Sequence, residues 1–206
     1  MALNDPRLRD AFNVHQAGYL AKAARLYGEV LRTDPGNFDA NYLLGFLHLQ
    51  RGEFEEGERF IARALDINPN SRGLFNRGRA LQQLGRDKEA PACFDKALAI
   101  NPNIPEILFA RANSFTRLRR DKEALADLDR VVALKPELAD AWNNRANAFA
   151  ALSRLEDAVS NYDKALPLKP SNMRTLNHRA ITSRCGSAPT AKSRRRASPW
   201  KRILHE

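Results

Sequence analysis

Catalytic signatures are missing from these 206 residues. There is no HExxH, no GxSxG and no glycine-rich phosphate loop, so the metal-assisted, acyl-transfer and nucleotide chemistries that need those arrangements have no anchor. The four histidines, His15, His48, His178 and His205, stand apart with no ligand spacing between them. The two cysteines, Cys93 and Cys185, form no CxxC and offer no pair to hold zinc. Cys93 is expected to pack as a small hydrophobe. No run approaches the ~18 apolar residues of a membrane span, and the opening MALNDPRLRD lacks the charged-then-apolar layout of a secretion signal. The expectation is a chain that is not an enzyme, needs no cofactor or metal, has no membrane partner and resides in a reducing cytoplasm.

The formal charge of +10 suggests a nucleic-acid binder until it is divided along the chain. Residues 182–206 hold seven Lys and Arg against the single Glu206, a net of +6. The rest is spread thinly over a solvated surface. This tail, rich in Arg, Ser, Ala and Pro, cannot bury enough apolar area to offset the entropy of ordering it, and residues 184–197 are expected to be irregular. Only the stretch from Ser198 to Leu204 has a helix start and an apolar trio, Trp200, Ile203 and Leu204. Nucleic acid would associate with such a tail through charge alone, without sequence preference.

What the chain does have is a period. Pro35, Pro69, Pro102, Pro136 and Pro170 are 34, 33, 34 and 34 residues apart, and each closes the same phrase: VLRTDP, ALDINP, ALAINP, VVALKP, ALPLKP. In the stretch Ala141–Pro170, Trp142, Ala146, Phe149 and Leu152 recur at helical spacing. Leu155, Ala158, Tyr162, Ala165 and Leu168 follow as a second set. A break at Ser153-Arg154 separates the two, and Pro170 stops the second because it cannot donate the bond that would continue it. Each unit is a helical hairpin that cannot bury its apolar face alone.

Small residues at positions 8 and 20, an aromatic or aliphatic residue at 24 and Pro at 32 make this pattern resemble the tetratricopeptide repeat. The resemblance implies an all-α solenoid, a right-handed superhelix of antiparallel helix pairs. Its repeats are expected over about 4–37, 38–70, 71–103, 105–138 and 139–172, with a partial sixth over 173–181 and a separate tail over 182–206. Gly57, inside a helix, points to close helix packing, since Gly there costs roughly 1 kcal/mol against Ala. Arg119 and Ser153 stand in the inter-helix turn where earlier repeats have glycine. A left-handed backbone there would cost each of them ~1 kcal/mol.

In arrays of this family the first helix of each hairpin lines a concave groove. Here that implies Tyr42, Leu43, Phe46 and Gln50, then Phe75, Asn76, Arg79 and Gln83, then Phe109, Asn113 and Arg117, then Asn143, Asn144 and Asn147, and finally Asn177 and His178. Asparagine carries both a donor and an acceptor, so a row of amides can read extended peptide backbone, with Phe75 and Phe109 as apolar anchors. The string NNRAN, Asn143 to Asn147, is similar to the asparagine ladder in the repeat domains of O-linked N-acetylglucosamine transferases and to bacterial arrays with NNRGN-like strings. Only Asn76, Asn113, Asn144 and Asn147 fall on the two ladder positions. A clamp for a terminal carboxylate would use Asn113, Asn144, Arg174 and His178, but Phe109 occupies the place of its first lysine. The expected function is a protein-interaction scaffold that binds an extended peptide or a partner helix. The alternative is a targeting array belonging to a larger enzyme such as a glycosyltransferase.

Position 7, normally apolar, is Leu44 in the second repeat but Arg77, Arg111, Arg145 and Arg179 afterwards. Position 25 is Ala62 in the second repeat but Asp95, Asp129 and Asp163 in the next three. Unpaired guanidinium groups are not buried, so pairing is expected. Pairing inside each hairpin gives Arg77–Asp95, Arg111–Asp129 and Arg145–Asp163 and leaves Arg179 alone. Pairing across the junction gives Arg111–Asp95, Arg145–Asp129 and Arg179–Asp163, leaves Arg77 facing Ala62, and is the expected register because it would fix the stacking of successive repeats.

Overall fold

The computed structural model describes residues 5–186. Expectations for residues beyond 186, including the irregular tail and the Trp200 turn, lie outside the described residues. Two compact units make up the chain, with the boundary after Lys135.

The first unit holds eight helices: α1 (Pro6–Gln16), α2 (Leu20–Thr33), α3 (Phe38–Gln50), α4 (Phe54–Ile67), α5 (Ser71–Gln83), α6 (Ala90–Ile100), α7 (Pro105–Arg117) and α8 (Asp121–Leu134). They pack as four consecutive hairpins, and the second helix of each of the first three also packs on the first helix of the next. The odd-numbered helices touch one another in order, α1 on α3, α3 on α5 and α5 on α7. In the second unit α9 (Ala139–Ala151) and α10 (Leu155–Leu168) form a hairpin, and α11 (Met173–Gly186) packs on α10. No strand occurs among the described residues. Arg184, Cys185 and Gly186 were expected to be irregular; they are helical, because α11 runs on past Ile181.

Local chemistry explains the element ends. Asp5 caps α1 by accepting from the Arg7 N–H at 2.8 Å, with Pro6 in the first turn. Asn37 and Asn70 cap α3 and α5 in the same way, at 2.9 and 2.8 Å. Each hairpin turn repeats one bond in which a backbone N–H reaches the carbonyl five residues back: Tyr19 to Val14, Glu53 to His48, Arg86 to Leu81, Arg120 to Phe115 and Arg154 to Phe149, at 2.8–3.1 Å. That closure needs a left-handed residue. Gly18, Gly52 and Gly85 supply it in the first three hairpins, whereas Arg119 and Ser153 adopt it at φ 59° and 61°. Pro91 sits in the first turn of α6, which starts at Ala90 and has 11 residues against the 14 of α4 and α8.

The core follows the repeat. Position 24 is Tyr27, Ile61, Phe94, Leu128 and Tyr162, none more than 1% exposed. Each of these large side chains contributes roughly 1.5–3 kcal/mol by leaving water. Ala23, Ala90, Ala124 and Ala158 at position 20 are fully buried where paired helices meet. In the second hairpin this place falls to Gly57, where a Cβ would lie 2.3 Å from Leu49 Cδ2 and 3.1 Å from the Gly45 carbonyl oxygen. Cys93 is buried, and burial pushes its thiol pKa up, so it behaves as a small apolar residue.

Candidate functional site

The side of the first unit on which the odd-numbered helices lie carries a cleft of about 410 Å³. Phe46, Leu49 and Gln50 of α3, Phe54 at the start of α4, and Asn76, Arg79, Ala80 and Gln83 of α5 line it. Five of these, Phe46, Gln50, Asn76, Arg79 and Gln83, belong to the set expected from the repeat. Leu49 stands at another inward repeat position. Phe54 begins a second helix, and no periodic signal points it toward the cleft.

The residues behind this cleft hold its polar groups in place. Asn76 Nδ2 donates to the Tyr42 hydroxyl at 3.0 Å, bridging α5 to α3. Tyr42 is itself buried and stacks on Phe38 at 6.0 Å between ring centroids; burial pushes its phenol pKa up. The Gln50 amide oxygen lies 2.8 Å from His15 Nε2, while His15 Nδ1 is 3.2 Å from the Tyr27 hydroxyl. This chain, buried at His15 and Tyr27 and open at Gln50, ties α1, α2 and α3 together at the cleft edge. Arg79 is exposed, its guanidinium 5.9 Å from the Phe75 ring centre, and Phe75 in turn lies 6.2 Å from Phe94. Leu43 is buried and so belongs to the core and not to the open surface. Phe109 and Asn113 are half-buried on α7, and Arg117 bonds Asp87 and the Gln82 carbonyl, each at 3.0 Å.

In the second unit the expected amide row is largely used internally. Asn143 is buried, and its oxygen accepts from the Thr175 hydroxyl at 2.9 Å, joining α9 to α11. It is therefore not a groove residue, and the reason is the arrival of α11. The Asn147 oxygen accepts from the Tyr162 hydroxyl at 2.6 Å and lies 3.0 Å from His178 Nδ1. Asn144 is half-buried, and Asn177 is exposed on α11.

Three members of the arginine series find an acidic partner within their own unit. Arg111 reaches Asp95 at 2.6 Å, and Arg179 reaches Asp163 at 2.7 Å. Asp129 and Arg145 belong to different units. Arg77 does not stand alone opposite Ala62: its Nε donates to Glu58 at 2.7 Å. The residue missed from sequence is Asp127. Its side chain is only 5% exposed, and it takes two hydrogen bonds from Arg111, at 2.6 and 2.8 Å. These bonds to Asp127, with Asp95 adding to them, hold the Arg111 pKa above the usual guanidinium value. Asn161 occupies the equivalent place in the fifth hairpin and accepts from Arg145 at 2.9 Å. Reading position 23 beside position 25 would have exposed this pattern. Among the described residues no cluster of three or more His, Cys, Asp or Glu is placed to hold a metal ion, and no helix is long and apolar enough to cross a membrane.

Three family models described as tetratricopeptide repeat match residues 15–76, 71–104 and 139–172. The chain is thus built of tetratricopeptide repeats, and its fold is an all-α tetratricopeptide solenoid. Among solved structures it is similar to YrrB, described as a TPR protein with an unusual peptide-binding site: TM-score 0.81, 24% identity, 85% of this chain and 91% of that one covered. A double mutant of MamA from RS-1 superposes with a TM-score of 0.71 at 26% identity, over 73% of this chain and 85% of that one. The first TPR of Spaghetti (RPAP3), bound to the HSP90 peptide SRMEEVD, gives 0.56 at 28%, over 57% and 94%. Among curated proteins, Photosystem I assembly protein Ycf3 of Rippkaea orientalis is 28% identical over a 100-residue alignment that covers 43% of this chain. The match spans 58% of the length of that relative.

Proposed function

We propose that the chain is a non-catalytic protein-interaction scaffold whose ligand is an extended peptide or a partner helix laid on the odd-numbered helices. The observation that carries this reading is the α3–α5 cleft, where two aromatic rings, three amides and one exposed guanidinium share a space of about 410 Å³. Apolar lining with a few fixed polar groups is the composition of a recognition pocket. The Phe46 and Phe54 rings accept an apolar side chain, Gln50, Asn76 and Gln83 meet peptide N–H and C=O groups, and Arg79 favours a carboxylate. Peptide recognition in the solved structures of YrrB and RPAP3, and the assembly role in the name of Ycf3, support a binding role. Phe75, Phe109 and Asn113 extend this surface in the first unit, and Asn144 and Asn177 offer amides on α9 and α11 of the second.

The test is an array of immobilised synthetic peptides probed with the full chain and with Phe46→Ala and Arg79→Glu. Both substitutions should reduce binding of the captured peptides about tenfold or more. Capture that both variants retain in full would remove the cleft from the function.

A further inference from the structure

A second cleft, of about 240 Å³, lies away from the first. Its walls are Gly28, Leu31 and Arg32 of α2, Pro35 after it, Asn41 and Leu44 of α3, and Phe60 and Arg63 of α4. The repeat explains why it is there. Gly28 stands at position 25 of the first hairpin and Leu44 at position 7 of the second. At the α6–α7 junction the same two positions are Asp95 and Arg111, joined by an ion pair, and at the α10–α11 junction they are Asp163 and Arg179, again paired. The first junction has neither charge, and the absent aspartate side chain and guanidinium leave an opening floored by Leu44. Asn41 does not make this floor polar toward a ligand through its NH2, which already donates to the Pro35 and Asn37 carbonyls, both at 2.9 Å.

The rim of this opening is one-signed. Arg32 and Arg63 are both exposed and no carboxylate lines the cleft. Neither arginine forms an ion pair with the described residues; Arg63 only lies over the Phe60 ring, 5.5 Å from its centre. Arg59, on the same ring at 5.2 Å, is the neighbour that does have a carboxylate, Glu56.

The geometry points to a second docking site, at the α2–α4 edge, for an acidic segment of a partner protein. One aliphatic or aromatic side chain of that segment fills the space between Leu31, Pro35, Leu44 and Phe60. Its flanking Asp or Glu carboxylates pair with Arg32 and Arg63. Charge complementarity selects an acidic partner, and the apolar floor selects a protein over a nucleic-acid backbone, which has no aliphatic side chain to insert. With the α3–α5 cleft on another face, the chain can hold two protein segments at once.

The experiment pans a phage-displayed library of linear dodecapeptides on the immobilised full chain and, in parallel, on Gly28→Asp/Leu44→Arg. That double substitution installs the missing ion pair and closes the opening. Enriched peptides that depend on the native pair should carry an apolar residue with Asp or Glu within a few positions. As synthetic peptides they should bind the full chain, lose about tenfold or more in Arg32→Glu/Arg63→Glu, and be unaffected by Phe46→Ala. If circular dichroism shows that the first double variant does not fold, Arg32→Glu/Arg63→Glu, at two exposed positions, replaces it in the selection. The proposal is overturned if no enriched peptide depends on these four positions, or if the dependent peptides lack acidic residues. It is equally overturned if a single-stranded oligothymidylate binds through Arg32 and Arg63 while no peptide does. Loss of binding in Phe46→Ala with retention in Arg32→Glu/Arg63→Glu would assign the peptides to the first cleft and also overturn it.

Discussion

Asn76 in the first unit and Asn143 and Asn147 in the second come from the same face of the same kind of helix, yet their surroundings use them differently. Asn76 spends one donor on Tyr42 and still lines a cleft. Asn143 is buried against Thr175, and the Asn147 oxygen is held between Tyr162 and His178. The arginine series shows the same contrast. Arg111 grips a buried Asp127, whereas the Arg179–Asp163 pair is about half exposed on both sides. A repeat position therefore specifies a residue type and an approximate direction, and the neighbouring helix decides whether the group is structural or available.

The sharpest way to test the contrast is to remove the two arginines separately. Arg111→Met strands the Asp127 carboxylate in the interior and should cost about 3 kcal/mol in urea denaturation. Arg179→Met should stay within about 1 kcal/mol, because its pair is exposed and screened. Equal costs would mean that burial of Asp127 does not set the difference.

Next in size are the amides. Asn143→Ala leaves the Thr175 hydroxyl, 1% exposed as a residue, without its acceptor, and should destabilise the fold by about 1–3 kcal/mol. Peptide binding at the first cleft should not change. Asn76→Ala should do the reverse, weakening peptide binding with a smaller effect on stability. An Asn143→Ala protein with native melting behaviour would contradict its structural assignment.

A gain is expected at the turns. Arg119→Gly and Ser153→Gly, at the two left-handed positions without glycine, should each stabilise by about 1 kcal/mol. Gly52→Ala should lose a similar amount. No change in denaturation midpoint for either glycine variant would show that the surrounding turn relaxes the strain.

The smallest effect is an alkaline one. Tyr27, Tyr42 and Tyr162 have phenol pKa values raised by burial. The unfolded chain releases these protons first, near the ordinary tyrosine value of about 10. The stability they confer is thus complete below that pH and declines as pH rises above it. Thermal melts should hold level up to about pH 9 and fall beyond about pH 10, less steeply in Tyr27→Phe. A fall that Tyr27→Phe leaves unaltered would assign the transition to other groups.

The order of the helices and the large apolar residues of the core were legible in the sequence, because small and large apolar residues recur at fixed repeat positions and proline ends each unit. The left-handed turns at Arg119 and Ser153 could be read too, by alignment with Gly18, Gly52 and Gly85. Five residues of the first cleft followed from their repeat positions. Phe54 did not, since it starts a second helix whose periodic positions face the core. Nor did the commitment of Asn143, which depends on where α11 packs.

By itself, then, the sequence determined what repeats: helix length, the small-residue contacts, and the preference for Arg at position 7 with an acid nearby. The first two are consequences of backbone hydrogen bonding and apolar periodicity, which are local, and the third is visible as charges that recur at fixed repeat positions. Tertiary structure decided which acid answers each arginine, Glu58 for Arg77 and Asp127 together with Asp95 for Arg111. It also decided that Gly28 and Leu44 leave an opening where the α6–α7 and α10–α11 junctions carry an ion pair. The physical reason is that charge pairing and open space depend on distances between side chains from different helices, and the stacking of one hairpin on the next sets those distances.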